Sequence, residues 1–183
     1  MFYISEYAGI NAQGAYGVVA TVIYIAAAFW WMAKDKVTFS TARMLSWIGM
    51  IVPSFLTVSA DPMEGGTWAI HPLSILLVPY LYFVLIPFFL FWVGATGKPS
   101  RYVTWFKSSE MPCIITVANM VGDVYGAVIF SSAASIGQIG GAGLTDGLVW
   151  VPALFTVLHA MLRSLYVFEM NKPTAAAASS SSA

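Results

Sequence analysis

Residues 111 to 133 read Met-Pro-Cys-Ile-Ile-Thr-Val-Ala-Asn-Met-Val-Gly-Asp-Val-Tyr-Gly-Ala-Val-Ile-Phe-Ser-Ser-Ala. Asp123 is the one charged residue in a run longer than the ~20 apolar residues that carry a helix across the hydrocarbon core of a bilayer. Outward from this stretch the same texture recurs at about 15 to 33, 44 to 60, 73 to 95 and 148 to 169. The run from Met44 to Ala60 is the shortest; Pro53 lies inside it and Asp61-Pro62 stops it, so a kink or a partial span is expected there.

The whole chain of 183 residues agrees, with 59% hydrophobic residues, 9% charged residues and a mean hydropathy of +0.78. Soluble domains run nearer 45 to 50% and ~25%. A water-soluble surface cannot be made from this composition. In a bilayer, helices are held together by close packing of small residues and by polar contacts.

Charge placement sets the orientation. Lys34, Lys36 and Arg43 lie between the first and second runs, Lys98, Arg101 and Lys107 between the third and fourth, and Lys172 follows the fifth. The N-terminal segment and the loops at 61 to 72 and 134 to 147 hold no Lys or Arg, only Glu6, Asp61, Glu64 and Asp146. By the positive-inside rule the basic side is cytoplasmic, or the matrix side in an organelle. The first run has no basic residues before it, so it reads as a retained anchor with its N-terminus outside rather than a cleaved signal.

The fold class that follows is all-α, an integral membrane bundle of five transmembrane helices, with the N-terminus non-cytoplasmic and the C-terminus on the cytoplasmic or matrix side. Residues 1–172 form a single transmembrane domain. The Ala- and Ser-rich tail at 173–183 is low complexity and expected to be disordered on its own.

Composition also excludes several functions. A net charge of zero, with eight basic and eight acidic residues, gives nucleic acid no purchase. Cys113 is the only cysteine, which rules out an internal disulfide and a zinc site of finger type. No metal or other cofactor is expected. The Gly-rich stretch from Gly137 to Gly143 lacks the Lys-Ser/Thr and the preceding strand of a phosphate loop, and reads as a flexible turn.

Ionisable groups within a span are costly and therefore candidates for function. Asp123 lies near the middle of the fourth run with Asn119 one turn before it; His159 lies near the middle of the fifth with Arg163 one turn beyond. An Asp123–Arg163 ion pair that fixes helix register is one reading. A polar pocket in an apolar cavity, able to move a proton, is the other. Gly122 and Gly126 are a small-xxx-small pair suited to close helix packing, and Glu64 by itself is a solvated loop acid.

Three segments carry a family resemblance. Asn119-Met-Val-Gly122-Asp123-Val124 resembles the Gln-x-x-Gly-Asp-Val stretch of the EXPERA family, which includes emopamil-binding protein, a sterol isomerase, and the sigma-2 receptor. Met63-Glu64-Gly-Gly-Thr67, followed by His71-Pro72-Leu73, resembles the family's Met-Glu-x-x-Thr-Ala with its following Gly-Pro-Leu, and Phe155-Thr-Val-Leu-His159-Ala160 resembles its last-helix Phe-x-x-x-Asn-Ala, with His159 in place of Asn.

The resemblance spans roughly residues 61 to 169 and implies one intramembrane cavity that accepts sterol-like ligands. It implies Glu64, His159 and Asp123 as catalytic groups, with Glu64 as proton donor, His159 as its partner and Asp123 orienting it. Asn119, Arg163, Tyr125 and Trp68 are then ligand-binding. Residues 55 to 60 carry neither the His nor the Glu of the family's second helix, the polar segment after that helix is missing, and Leu162 replaces a Trp.

An acid-base isomerase for a sterol or isoprenoid-type lipid therefore stands beside a non-catalytic lipid-binding or structural subunit of a larger membrane complex. A channel or proton-coupled transporter is a third class, disfavoured because the chain has no internal repeat or paired broken helices. The partners expected are a membrane lipid or sterol-like small molecule, and a second copy or a larger assembly. The membrane is that of the endoplasmic reticulum, with the mitochondrial inner membrane as the alternative.

Overall fold

The computed structural model describes residues 2–12, 14–52, 60–63, 67–70, 85–92, 105–131, 137–139, 144 and 147–170. The described helices are α1 (Gly14–Lys34), α2 (Thr41–Ile51), α3 (Ile86–Trp92), α4 (Met111–Phe130) and α5 (Gly147–Met170). The strands are β1 (Phe2–Ser5), β2 (Ala8–Ile10), β3 (Ala60–Met63), β4 (Thr67–Ile70) and β5 (Gly137–Gln138). Three helices, at Gly14–Lys34, Met111–Phe130 and Gly147–Phe168, are long and apolar enough to cross a membrane. At 1.5 Å per residue the 21 residues of α1 reach about 30 Å.

Local chemistry sets the helix ends. At the start of α1 the Asn11 side-chain oxygen accepts the Gly14 N–H at 2.6 Å, satisfying one of the first-turn donors. At its end Lys36 adopts a left-handed conformation (φ 50°), Val37 N–H bonds to Met32 O at 3.0 Å, and Lys36 N–H bonds to Ala33 O at 3.2 Å. This is the Schellman pattern, with a lysine at the position glycine usually fills. Ser40 caps α2, its hydroxyl accepting Arg43 N–H at 3.3 Å.

The expectations for α1, α4 and α5 agree with the structure to within a few residues; α4 stops at Phe130, where Ser131 turns extended. The second run differs. Its helix starts earlier, at Thr41, its described part ends at Ile51 just before Pro53, and Ala60 already belongs to a strand. Of the run at 73 to 95 only Ile86–Trp92 is described as helix; residues 71–84 and 93–104, and the tail, lie outside the described residues. Five strands also make the chain less purely α than composition implied.

α4 is the central element, packed against α1, α2 and α5 and against β2, β4 and β5. Its neighbours α1 and α5 run antiparallel to it. Near the end of α4, Ala127 clusters with Leu148 from the start of α5, whereas Met111 at the start of α4 clusters with Leu162 far along α5. Likewise Ala28 and Met32 late in α1 meet Cys113 early in α4. The hydroxyl of Tyr24 donates to Val149 O at 2.6 Å, joining α1 to α5.

The two ends of the bundle differ in chemistry. At one end β1 and β2 form an antiparallel hairpin and β5 adds in parallel to β2, Ala8 facing Gly137. Gly137 was expected in a flexible turn; instead its backbone seats against the last turn of α4, where a Cβ would overlap the Ala127 carbonyl. β4, paired with β3, also lies against α4 and β5. The described parts of all three segments that lack Lys and Arg thus gather at this end. The other end carries Lys34, Lys36, Arg43 and Lys107.

Candidate functional site

Two polar regions interrupt the apolar packing. The first lies at the basic end, where the segment Trp105–Glu110 folds in against the bundle before α4 begins. Phe106 is 2% exposed and Glu110 is fully buried. The Glu110 carboxylate accepts the Trp47 indole N–H at 2.9 Å and the Lys107 backbone N–H at 2.7 Å, and pairs with Arg43 at 3.4 Å. Arg43 also donates to Trp105 O at 2.8 Å. A buried carboxylate is tolerated because a cation and several donors surround it. Nearby, Lys107 Nζ donates to Asp35 O, and Ser109 Oγ donates to the Asp35 carboxylate at 2.6 Å.

The second region lies inside the bundle on α4. Thr116, Asn119 and Asp123, at i, i+3 and i+7, share one helix face. Asn119 is 2% exposed and Thr116 fully buried. Among the described residues, the Asn119 amide nitrogen and oxygen and the Thr116 hydroxyl have no hydrogen-bond partner. Leaving such a group unpaired costs about 1 to 3 kcal/mol, so buried polar atoms almost always find a partner. Three neutral donor and acceptor atoms thus sit on adjacent turns of α4, buried and without a partner among the described residues. Asp123 on the next turn is half-buried.

On α5, the buried positions Leu148, Val151, Pro152, Phe155, His159, Leu162 and Tyr166 make a stripe at helical spacing. His159 is fully buried within it, and its Nε2 lies 3.2 Å from Phe106 O. This bond ties the middle of α5 to the segment in front of α4. Arg163, half-buried, follows one turn beyond. Among the described residues, Arg43 and Glu110 form an ion pair that the sequence did not suggest.

The structure thus places Asn119 and His159 in the interior and Asp123 and Arg163 at half-buried positions. Tyr125 is 39% exposed, on the outer side of α4. Glu64 and the side chain of Trp68 lie outside the described residues, although the backbone of Trp68 belongs to β4, which lies against α4. Among the described residues no group of His, Cys, Asp and Glu is arranged to hold a metal.

Sequence reasoning missed Thr116 and the whole Glu110 cluster. Thr116 carried a usable signal, since it precedes Asn119 by one turn. Glu110 did not: an acid just before a helix is ordinarily solvated. Comparison with protein-family models, with curated proteins and with solved structures finds no match.

Proposed function

We propose that this chain is an integral membrane protein of EXPERA-like kind, whose bundle interior holds the polar group of a sterol or isoprenoid-type lipid. The observation that carries this reading is the buried Asn119 amide, without a partner among the described residues and one turn from the Thr116 hydroxyl, which likewise has none there. These atoms match an uncharged hydroxyl or carbonyl in an apolar surround, which is the chemistry of such a lipid. The basic end faces the cytoplasm or matrix and the sheet end the opposite side; the clustering of Lys34, Lys36, Arg43 and Lys107 supports this orientation.

Binding without chemistry is the reading favoured here. The groups that want a partner are neutral, and the His159 ring is engaged by the Phe106 carbonyl. Acid-base isomerisation would need Glu64, Asp123 and His159 to meet one ligand.

The test is photo-labelling of the full chain in membranes with a diazirine sterol carrying a free hydroxyl. The expected result is labelling within Met111–Phe130 that unlabelled sterol competes away and that Asn119→Leu with Thr116→Val abolishes. Labelling indifferent to competitor and to both substitutions overturns the reading. Turnover of the sterol by the purified chain, lost in His159→Gln, would replace binding with catalysis.

A further inference from the structure

The exposed face of α1 carries Val19, Val22, Ile23, Phe29 and Trp30. Lys34 ends that face. Its ammonium sits 3.8 Å from the centroid of the Trp30 ring, which is 63% exposed. An indole and an ammonium at the end of an apolar helix face lie at the level where acyl chains give way to headgroups.

Just beyond it stands Lys36, exposed and held at φ 50°. A lysine in a left-handed position where glycine is free of strain is a local cost, and such outliers point to a use for the side chain. The Lys107 ammonium completes the group by donating to the Asp35 carbonyl. Lys34, Lys36 and Lys107 thus bring three positive charges to this end of α1, where the Asp35 carboxylate is engaged by the Ser109 hydroxyl. Arg43 is occupied by Glu110. Among the described residues the patch keeps an excess of positive charge beside an apolar surface.

We infer that Lys34, Lys36 and Trp30 form a surface site for the phosphate headgroup of an anionic phospholipid in the leaflet at the basic end. The ammonium groups take the phosphate, the indole packs on the glycerol region, and the exposed face of α1 takes the acyl chain. The site is separate from the Thr116 and Asn119 atoms and rests on the membrane placement proposed above. An acidic protein is the competing partner, but the apolar face continuous with the lysines favours a lipid.

The experiment reconstitutes the full chain in vesicles of phosphatidylcholine alone or mixed equally with phosphatidylglycerol, checks integration by flotation, then extracts the protein and identifies retained lipid by native mass spectrometry. Phosphatidylglycerol is expected to be enriched over phosphatidylcholine, by about fivefold for each lysine engaged. Lys34→Gln and Lys36→Gly each remove about that factor, and high salt weakens the enrichment. Lys36→Gly suits the turn better than lysine, so a stable variant that loses the lipid excludes unfolding as the cause. Flotation with equal retention of both lipids, or enrichment unchanged in the two variants, overturns this inference alone. Failure to integrate into either vesicle overturns the membrane reading with it. Equal retention of both lipids, with polyglutamate added to the vesicles bound in a way that Lys34→Gln and Lys36→Gly weaken, overturns it in favour of an acidic protein.

Discussion

The carboxylate of Glu110 accepts the indole N–H of Trp47 at 2.9 Å across 63 residues of chain, in a place where Glu110 has no exposure to solvent. Arg43 completes the arrangement at 3.4 Å, so α2 is fastened to the start of α4 by one buried acid. Arg43→Ala leaves that acid without its cation and is expected to destabilise the chain by about 3 kcal/mol. Trp47→Phe removes one bond to a charged acceptor, for about 1.5 to 3 kcal/mol. Adding Glu110→Ala to Arg43→Ala costs less than the two singles together. Reversible unfolding in mixed detergent and SDS micelles measures all three, and strict additivity would show that the pair is not coupled.

Asn119 presents the opposite case, a buried side chain whose polar atoms find no partner among the described residues. In ligand-free micelles Asn119→Leu, close to isosteric, is expected to hold or raise stability by up to about 1 kcal/mol, because the desolvation penalty disappears. The same substitution abolishes protection by the bound lipid. A loss of more than about 2 kcal/mol without ligand would mean that Asn119 is bonded within the protein and is not a receptor.

Gly137 and Gly49 are a matched pair of probes. At Gly137 a Cβ would meet the Ala127 backbone, while at Gly49 on exposed α2 it would meet nothing within 4 Å. Gly137→Ala is expected to cost about 2 kcal/mol, since backbone and not a flexible side chain must move. Gly49→Ala gains about 0.5 to 1 kcal/mol by helix propensity. Thermal unfolding in detergent decides, and equal effects would mean that β5 does not dock on α4.

The long helices were legible because hydropathy and length suffice for them: α1, α4 and α5 lie within a few residues of the apolar runs. Among the described residues, Lys34, Lys36, Arg43 and Lys107 stand at one end of the bundle, as their places along the chain implied. The strands were not legible, because β1, β2 and β5 are too short for a period-two pattern and form by docking on helix ends. The site was half legible. Asn119 stood out as a polar residue in a span, whereas Glu110 needed Arg43 and Trp47 from far along the chain to become a buried group.

His159 tests whether the Trp105–Glu110 segment is pinned from inside. Its Nε2 at 3.2 Å from Phe106 O gives a buried carbonyl a donor. His159→Leu orphans that carbonyl and is expected to cost about 1 to 3 kcal/mol, with His159→Gln recovering part of it through its amide N–H. Amide hydrogen exchange of the 105 to 110 segment should quicken in the leucine variant first. Exchange unchanged there would mean that Glu110 alone holds the segment.

Tyr7 provides a pH probe at the sheet end, outside the spans. Its hydroxyl donates to the Glu6 carboxylate at 2.7 Å in the turn of the β1–β2 hairpin. Ionising the phenol would break that bond and set two negative charges side by side. The bond to Glu6 first, and slight desolvation second, therefore raise the Tyr7 pKa above its ordinary value of about 10. A group raised on folding adds stability that is complete below its unfolded pKa and is lost as pH climbs through the folded one. The hairpin should accordingly hold at neutral pH and loosen only above pH ~10. A carbon-13 titration of the Tyr7 ring should place its midpoint above that of Glu6→Gln, in which the acceptor is neutral and ionisation meets no like charge. Coincident midpoints in the two proteins would mean that the phenol and carboxylate do not meet in solution.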